Sequence, residues 1–190
     1  IVAPRILLAQ QLCKDFLELI DDVDVLHVHS GETHHPSTTK ADHIKYMNNN
    51  STENLLIFTT YHSLHRIQEA EIDVDTIYFD EAHNSVQKNF VEATEYHSMY
   101  ANRCYFFTAT PKHSKTPFNI GMNDYDIYGR VLVNVPAPKL VNQGYILPPK
   151  VIIKEIDVPD DSRHSWERDC DHLISTIDET NVDKILVCVR

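Results

Sequence analysis

The stretch IYFDEAHNSV, residues 77–86, holds the pattern on which the reading of this chain turns. An apolar run, Ile77 to Phe79, leads straight into two adjacent carboxylates, Asp80 and Glu81. Carboxylates at the end of a buried strand can hold a magnesium ion and aim a water at a phosphate. An ordinary strand-to-helix turn, with Asp80 capping the next helix, would use the same residues. A phosphate also needs a cradle, and no G-x-x-x-x-G-K-[S/T] occurs among the 190 residues.

Outward from this stretch, short β-rich runs alternate with longer helical ones. VLHVHS (25–30), LLIFTT (55–60), TIYFDE (76–81), CYFFTAT (104–110), KVIIKEIDV (150–158) and KILVCVR (184–190) read as strands. RILLAQQLCKDFLELI (5–20) places Leu8, Leu12, Phe16 and Leu19 on one helical face. ADHIKYMNN (41–49), YHSLHRIQEA (61–70) and SVQKNFVEATEYHSMY (85–100) read as further helices, the last with an Asn or Ser cap before it. This alternation, with near-continuous apolar strands, predicts an α/β fold with a mainly parallel sheet covered on both faces. Ligands of such sheets lie beyond the carboxyl ends of the strands, where Ser30, Thr60, Asp80 and Glu81 fall. The rhythm breaks after Pro111. Residues 112–149 hold five of the nine prolines and three of the four glycines, which predicts an irregular excursion. One strand, a polar helix at 160–180 that includes Trp166, and a final strand complete the pattern.

Composition bounds the function classes. A chain of 190 residues, 42% hydrophobic and 24% charged, is globular in composition and long enough for one full domain and part of a second. No apolar run approaches the roughly 18 residues that span a bilayer, and the N-terminal IVAPRILLAQQ has neither a basic leader nor a cleavage site. Cys13, Cys104, Cys170 and Cys188 are far apart and form no C-x-x-C pair; three of them sit in apolar periodic segments that suit buried thiols, and together they point to a reducing intracellular compartment such as the cytoplasm and no zinc knuckle. The net charge of −11 disfavours a general polyanion binder. Contacts through helix N-termini and loop amides carry no formal charge and escape that objection.

Three further motifs gain meaning from their position. FTAT (107–110) lies at the end of the next predicted strand, where Thr108 and Thr110 are in a position to bond His83. VAPRILLAQQ (2–11) is a strand end, a proline at a helix entrance and an amphipathic helix, whose free amides suit a phosphate. FTTYHSLHRI (58–67) offers Thr59, Thr60 and Ser63 at another strand end. Each alone is ordinary capping; together they are specific.

In this order, APRILLAQQ, FTTYHSL, FDEAH and FTATP resemble motifs Ia, Ib, II and III of superfamily 2 helicases, over roughly residues 1–150. MNDYDIYGRVLVNVP followed by LVNQGYILPPKV is similar to the passage closing the first motor domain in the type III restriction enzyme helicase branch. The resemblance implies a RecA-like three-layer domain at 1–158, a linker at 159–183, and the first strand of a second RecA-like domain at 184–190. It implies ATP and Mg2+ as cofactors, nucleic acid as partner (DNA rather than RNA), and no membrane. Asp80 would hold the magnesium through water, Glu81 would act on the attacking water, and His83 would join them in the catalytic motif. Thr108, Ala109 and Thr110 would couple phosphate state to domain movement. Pro4, Arg5, Ser30, Gly31, Thr59, Thr60 and Ser63 would contact nucleic acid. Arg5 is displaced by one position from the family's motif Ia arginine, which favours a backbone contact there. Motif I would precede residue 1, and motifs V and VI would follow residue 190, so that the phosphate cradle lies in the remainder of the helicase chain.

Two other readings compete. One is a nucleic-acid-binding or scaffold module that kept the fold without the ATPase; a G-K-[S/T] loop upstream and an arginine motif downstream would decide against it. The other rests on LHVHSGETHHP (26–36), where His27 and His29 point to one side of a strand, with His34 and His35 close by in sequence, as in metal-dependent hydrolases. Such a barrel needs about 250 residues and ligands from later strands, whereas the later strand ends here offer Thr60, Asp80 and Thr110.

Overall fold

Five short strands form one sheet in the computed structural model, which describes residues 1–116, 119–148 and 164–180. The chain divides into two units, Ile1–Val133 and Asn134–Arg190. The first contains, in order, β1 (Val2–Ala3), α1 (Ile6–Leu17), β2 (Val23–Val28), α2 (Ala41–Asn50), β3 (Asn54–Thr60), α3 (Leu64–Glu69), β4 (Thr76–Phe79), α4 (Val91–Tyr100), β5 (Arg103–Phe106) and α5 (Tyr125–Tyr128). The sheet order is β2-β3-β1-β4-β5 and every pairing is parallel. The strand ends named from sequence thus share one carboxyl edge. The two-residue β1 stands between β3 and β4, pairing Val2 with both Thr59 and Phe79.

Alternation along the strands builds a layer on each face. Val2, Leu26, Val28, Ile77 and Phe79 pack with Ile44 of α2, Leu64 and Ile67 of α3, and Phe90 and Ala93 at the start of α4. On the opposite face Ala3, Val25 and Phe58 pack with Ala9 and Cys13 of α1. Phe79 is fully buried, and truncating such a side chain to alanine costs about 3–5 kcal/mol.

Several boundaries differ from the periodicity. Of the expected α1 face, Leu8, Leu12 and Phe16 pack on the core, but α1 ends at Leu17 and Leu19 is 86% exposed. The helix expected at 85–100 begins only at Val91, without a side-chain cap. Before it, Ala82–Asn84 form a single 3-10 turn, and N–H bonds from Ser85 to Ala82, Gln87 to Asn84 and Phe90 to Gln87 make successive tight turns. β5 stops at Phe106, so FTAT lies beyond the strand.

In the second unit the described residues form α6 (Ala137–Asn142) and α7 (Ser165–Thr180). Pro136 precedes α6, and Gly144, at φ 77°, donates to Val141 just beyond it. Trp166, in the expected polar helix, stacks on His164 and is 62% exposed. The strands expected at 150–158 and 184–190, together with Cys188, lie outside the described residues. No described helix is long and apolar enough to cross a membrane.

Candidate functional site

β4 carries the two carboxylates to the sheet edge. The Asp80 N–H donates to the Val2 carbonyl at 2.9 Å, extending the ladder by one rung. The chain then turns sharply, because Glu81 adopts φ 46° and ψ 50°, a left-handed conformation rare for a non-glycine residue. The turn is pinned from just beyond β5, with the Ala82 N–H donating to the Phe107 carbonyl at 2.8 Å. Ser85 Oγ donates to the Ala82 carbonyl at 2.6 Å and lies 2.9 Å from the Tyr128 hydroxyl. The segment after FTATP therefore reaches back to the acidic turn.

His83 joins the acidic turn to FTAT. Its Nδ1 is 3.0 Å from Thr108 Oγ1 and 3.3 Å from both Thr110 Oγ1 and Glu81 Oε2. A carboxylate only accepts, so a proton on Nδ1 satisfies this arrangement. The Thr110 N–H donates to Thr108 Oγ1 at 3.1 Å, fixing the hydroxyl from the other side. Ala109 is exposed between them. Glu81 keeps a side chain 45% exposed beside His83 at 22%.

A cleft of about 350 Å³ opens at the ends of β1, β2 and β3. Pro4, Arg5, Ser30, Thr60 and Ser63 line it, so five residues distant in sequence come together. His29 and His62 line it too. Arg5 is the exposed N-cap of α1 and makes no side-chain cap, so the first amides of that helix have no cap from it. Gly31 packs so tightly that a Cβ would sit 2.6 Å from Ile6 Cγ2. Thr59 does not join the cleft: it is 1% exposed, and its hydroxyl donates to the Val28 carbonyl at 2.9 Å, tying β3 to β2.

The histidines in and just after β2 are buried rather than exposed. His27 and His29 are 0% and 2% exposed, with His27 Nδ1 3.0 Å from His29 Nε2. The Gly31 N–H donates to His29 Nδ1 at 3.1 Å. Neutral His29 then carries its proton on Nε2 and donates to His27. Burial pushes His27 down to about 4, with His29 and His35 adding to the effect, and burial lowers His29 as well. His34 is exposed and His35 stacks on His27. Among the described residues no group of three or more His, Cys, Asp or Glu side chains could hold a metal. The sheet is open, in the order β2-β3-β1-β4-β5, rather than the closed barrel that the metal-hydrolase reading requires.

Sequence reasoning missed Tyr61, Ser85 and Tyr128. Tyr61 is buried, and its hydroxyl donates to the Asp80 carbonyl at 2.8 Å. An aromatic directly after a polar strand end is the available signal for Tyr61. For Tyr128 it is the Tyr-Gly pair in the excursion.

An open parallel sheet with helices on both faces, its acidic turn and cleft along one carboxyl edge, is the RecA-like arrangement. The fold is shared with a nuclease-deletion mutant of the Type ISP restriction-modification enzyme LlaGI, solved in complex with a DNA substrate mimic. The two superpose with a TM-score of 0.61 at 23% identity, covering 75% of this chain and 13% of that one. Residues 1–113 match the family described as type III restriction enzyme, res subunit. The chain belongs to that family, a branch of the helicase-type motors. No curated protein matches it.

Proposed function

We propose that the chain carries the first RecA-like domain of a motor that couples ATP hydrolysis to movement along duplex DNA. The observation that carries this reading is one sheet edge with two stations. Glu81, His83 and Thr108 meet beyond β4 and β5, directly after Asp80, while Pro4, Arg5, Ser30, Thr60 and Ser63 line the cleft beyond β1, β2 and β3. In this reading Glu81 polarises the attacking water and accepts its proton. Asp80 suits magnesium held through water, being a half-buried carboxylate at a strand end that no cation pairs among the described residues. The ion would neutralise phosphate charge. His83, Thr108, Ala109 and Thr110 link the acidic turn to the end of β5, so that a change at the phosphates is felt in the segment beyond.

At the cleft, the hydroxyls of Ser30, Thr60 and Ser63 and the first amides of α1 hold a phosphodiester backbone, with Gly31 letting its loop lie close to α1. Donors without formal charge make this compatible with a net charge of −11. The DNA substrate mimic in the LlaGI structure favours DNA over RNA. In this reading residues 1–158 belong to the first motor domain, 159–183 to a linker and 184–190 to a second domain. The test is ATP hydrolysis by the intact protein with and without linear duplex DNA, together with ATP-dependent displacement of a third strand bound to that duplex. DNA-stimulated hydrolysis with displacement is expected. Hydrolysis indifferent to DNA, or none, would overturn the proposal.

A further inference from the structure

Val2 and Phe79 are paired across β1 and β4, and the Asp80 N–H donates to Val2. In a parallel ladder the next rung would run from the N–H of residue 4 to the Asp80 carbonyl. Residue 4 is proline and has no N–H. The Asp80 carbonyl is left without its rung, and the Tyr61 hydroxyl takes the vacant place at 2.8 Å. Tyr61 is 2% exposed, with its ring against Phe79 and Phe90. Burial, and then the nearby Asp80, push its ionisation far up, so the hydroxyl remains a donor.

The bond acts on one of the two peptides that flank Glu81. The Asp80 carbonyl is held by Tyr61 and the Ala82 N–H by Phe107, while the Glu81 carbonyl accepts from the Asn84 N–H and from its side-chain amide. The left-handed Glu81 is clamped on both sides. Tyr61 also sits between Thr60 and His62, which line the cleft, and its N–H reaches the Ala3 carbonyl at 3.3 Å. A ligand that shifts residues 60–63 therefore moves the hydroxyl that fixes the Asp80–Glu81 peptide.

We propose that Tyr61 is a positioning residue: it holds the carbonyl that Pro4 leaves unserved, and through it occupancy of the cleft sets the aim of Glu81. This rests on the reading of Glu81 as the base and of the cleft as the DNA site. The experiment is steady-state ATP hydrolysis by the intact protein at saturating linear duplex DNA, comparing Tyr61→Phe, Pro4→Ala/Tyr61→Phe and Glu81→Gln. In Tyr61→Phe the DNA-stimulated kcat should fall about tenfold, with KM for ATP and half-stimulating DNA concentration unchanged within about twofold. Pro4 lines the cleft, so the double variant, which restores an N–H to the vacant rung, is read in kcat at saturating DNA alone and should recover it. A Tyr61→Phe variant with full stimulated kcat and only a lowered Tm would overturn the proposal, and so would a loss that the double variant does not recover. Should the single variant fail to fold, recovery of folding and turnover in the double is the expected result, and no recovery overturns the proposal. Glu81→Gln separates the two levels. If it still hydrolyses ATP, the functional reading falls; if it is inactive while Tyr61→Phe is unimpaired, only the positioning claim falls.

Discussion

Replacing Glu81 by glycine should make the protein inactive and no less stable, an unusual pairing for a site of this kind. Glu81 sits at φ 46° and ψ 50°, where a side chain pushes Cβ toward the following carbonyl at a cost of about 1–2 kcal/mol. Glycine escapes that cost but loses about 0.5–1 kcal/mol through the greater freedom of its unfolded chain. The net expectation is a gain of about 0–1.5 kcal/mol, or a Tm rise of up to roughly 3–6 °C for a domain of 150–250 residues. The exposed contact with His83 at 3.3 Å subtracts little. Glu81→Gln keeps the Cβ and the strain, so its stability should match the wild type within about 0.5 kcal/mol. Both variants should lose hydrolysis by about 10²–10⁴-fold, the usual loss on removing a general base. Urea unfolding followed by circular dichroism, run on all three proteins, reads the difference. A glycine variant clearly less stable than the glutamine one would refute the claim that strain is stored at Glu81.

His27 and His97 are both buried and pushed down to about 4 by desolvation. The unfolded chain binds their protons first, so stability should be lost as pH falls from about 6.5 towards 4, by up to about 3 kcal/mol per histidine. Urea midpoints across that window check this, and a His97→Phe variant should show a shallower decline. Gly31→Ala would drive a Cβ to 2.6 Å from Ile6 Cγ2 and should cost about 1–3 kcal/mol in the same unfolding assay. Thr60→Ala and Ser63→Ala in the intact protein should raise the DNA concentration needed for stimulation while DNA-independent hydrolysis survives. Loss of that basal rate would show that the two stations of the sheet edge had been confused.

The strands most legible in the sequence are those buried on both faces. LLIFTT at 55–60 lies within β3, because an uninterrupted apolar and β-branched run suits the interior of a parallel sheet. CYFFTAT reads too long for a tertiary reason. Phe107 still donates to the Phe79 carbonyl, but β4 ends there and Glu81 turns left-handed, so residues 108–110 have no partner strand on that side. The late start of α4 is equally hidden, since Phe90 is buried by a series of tight turns rather than by helical periodicity. Of the site, the link from His83 to Thr108 is readable from motif order. Thr59 and Thr60 cannot be told apart in the sequence, yet the two adjacent threonines face opposite ways, one to the cleft and one into the sheet. The place of Tyr61 cannot be read locally. It depends on a missing N–H at residue 4 and a carbonyl at residue 80, which only the register of β1 against β4 brings together.

The most direct test of the account is a structure of the intact protein with a non-hydrolysable ATP analogue, magnesium and a short DNA duplex. The account predicts the terminal phosphate facing Glu81, the magnesium shell in contact with Asp80, and the DNA backbone in the cleft of Pro4, Arg5, Ser30, Thr60 and Ser63. Nucleotide bound away from Asp80 and Glu81, or DNA lying on a surface that leaves that cleft empty, would contradict it.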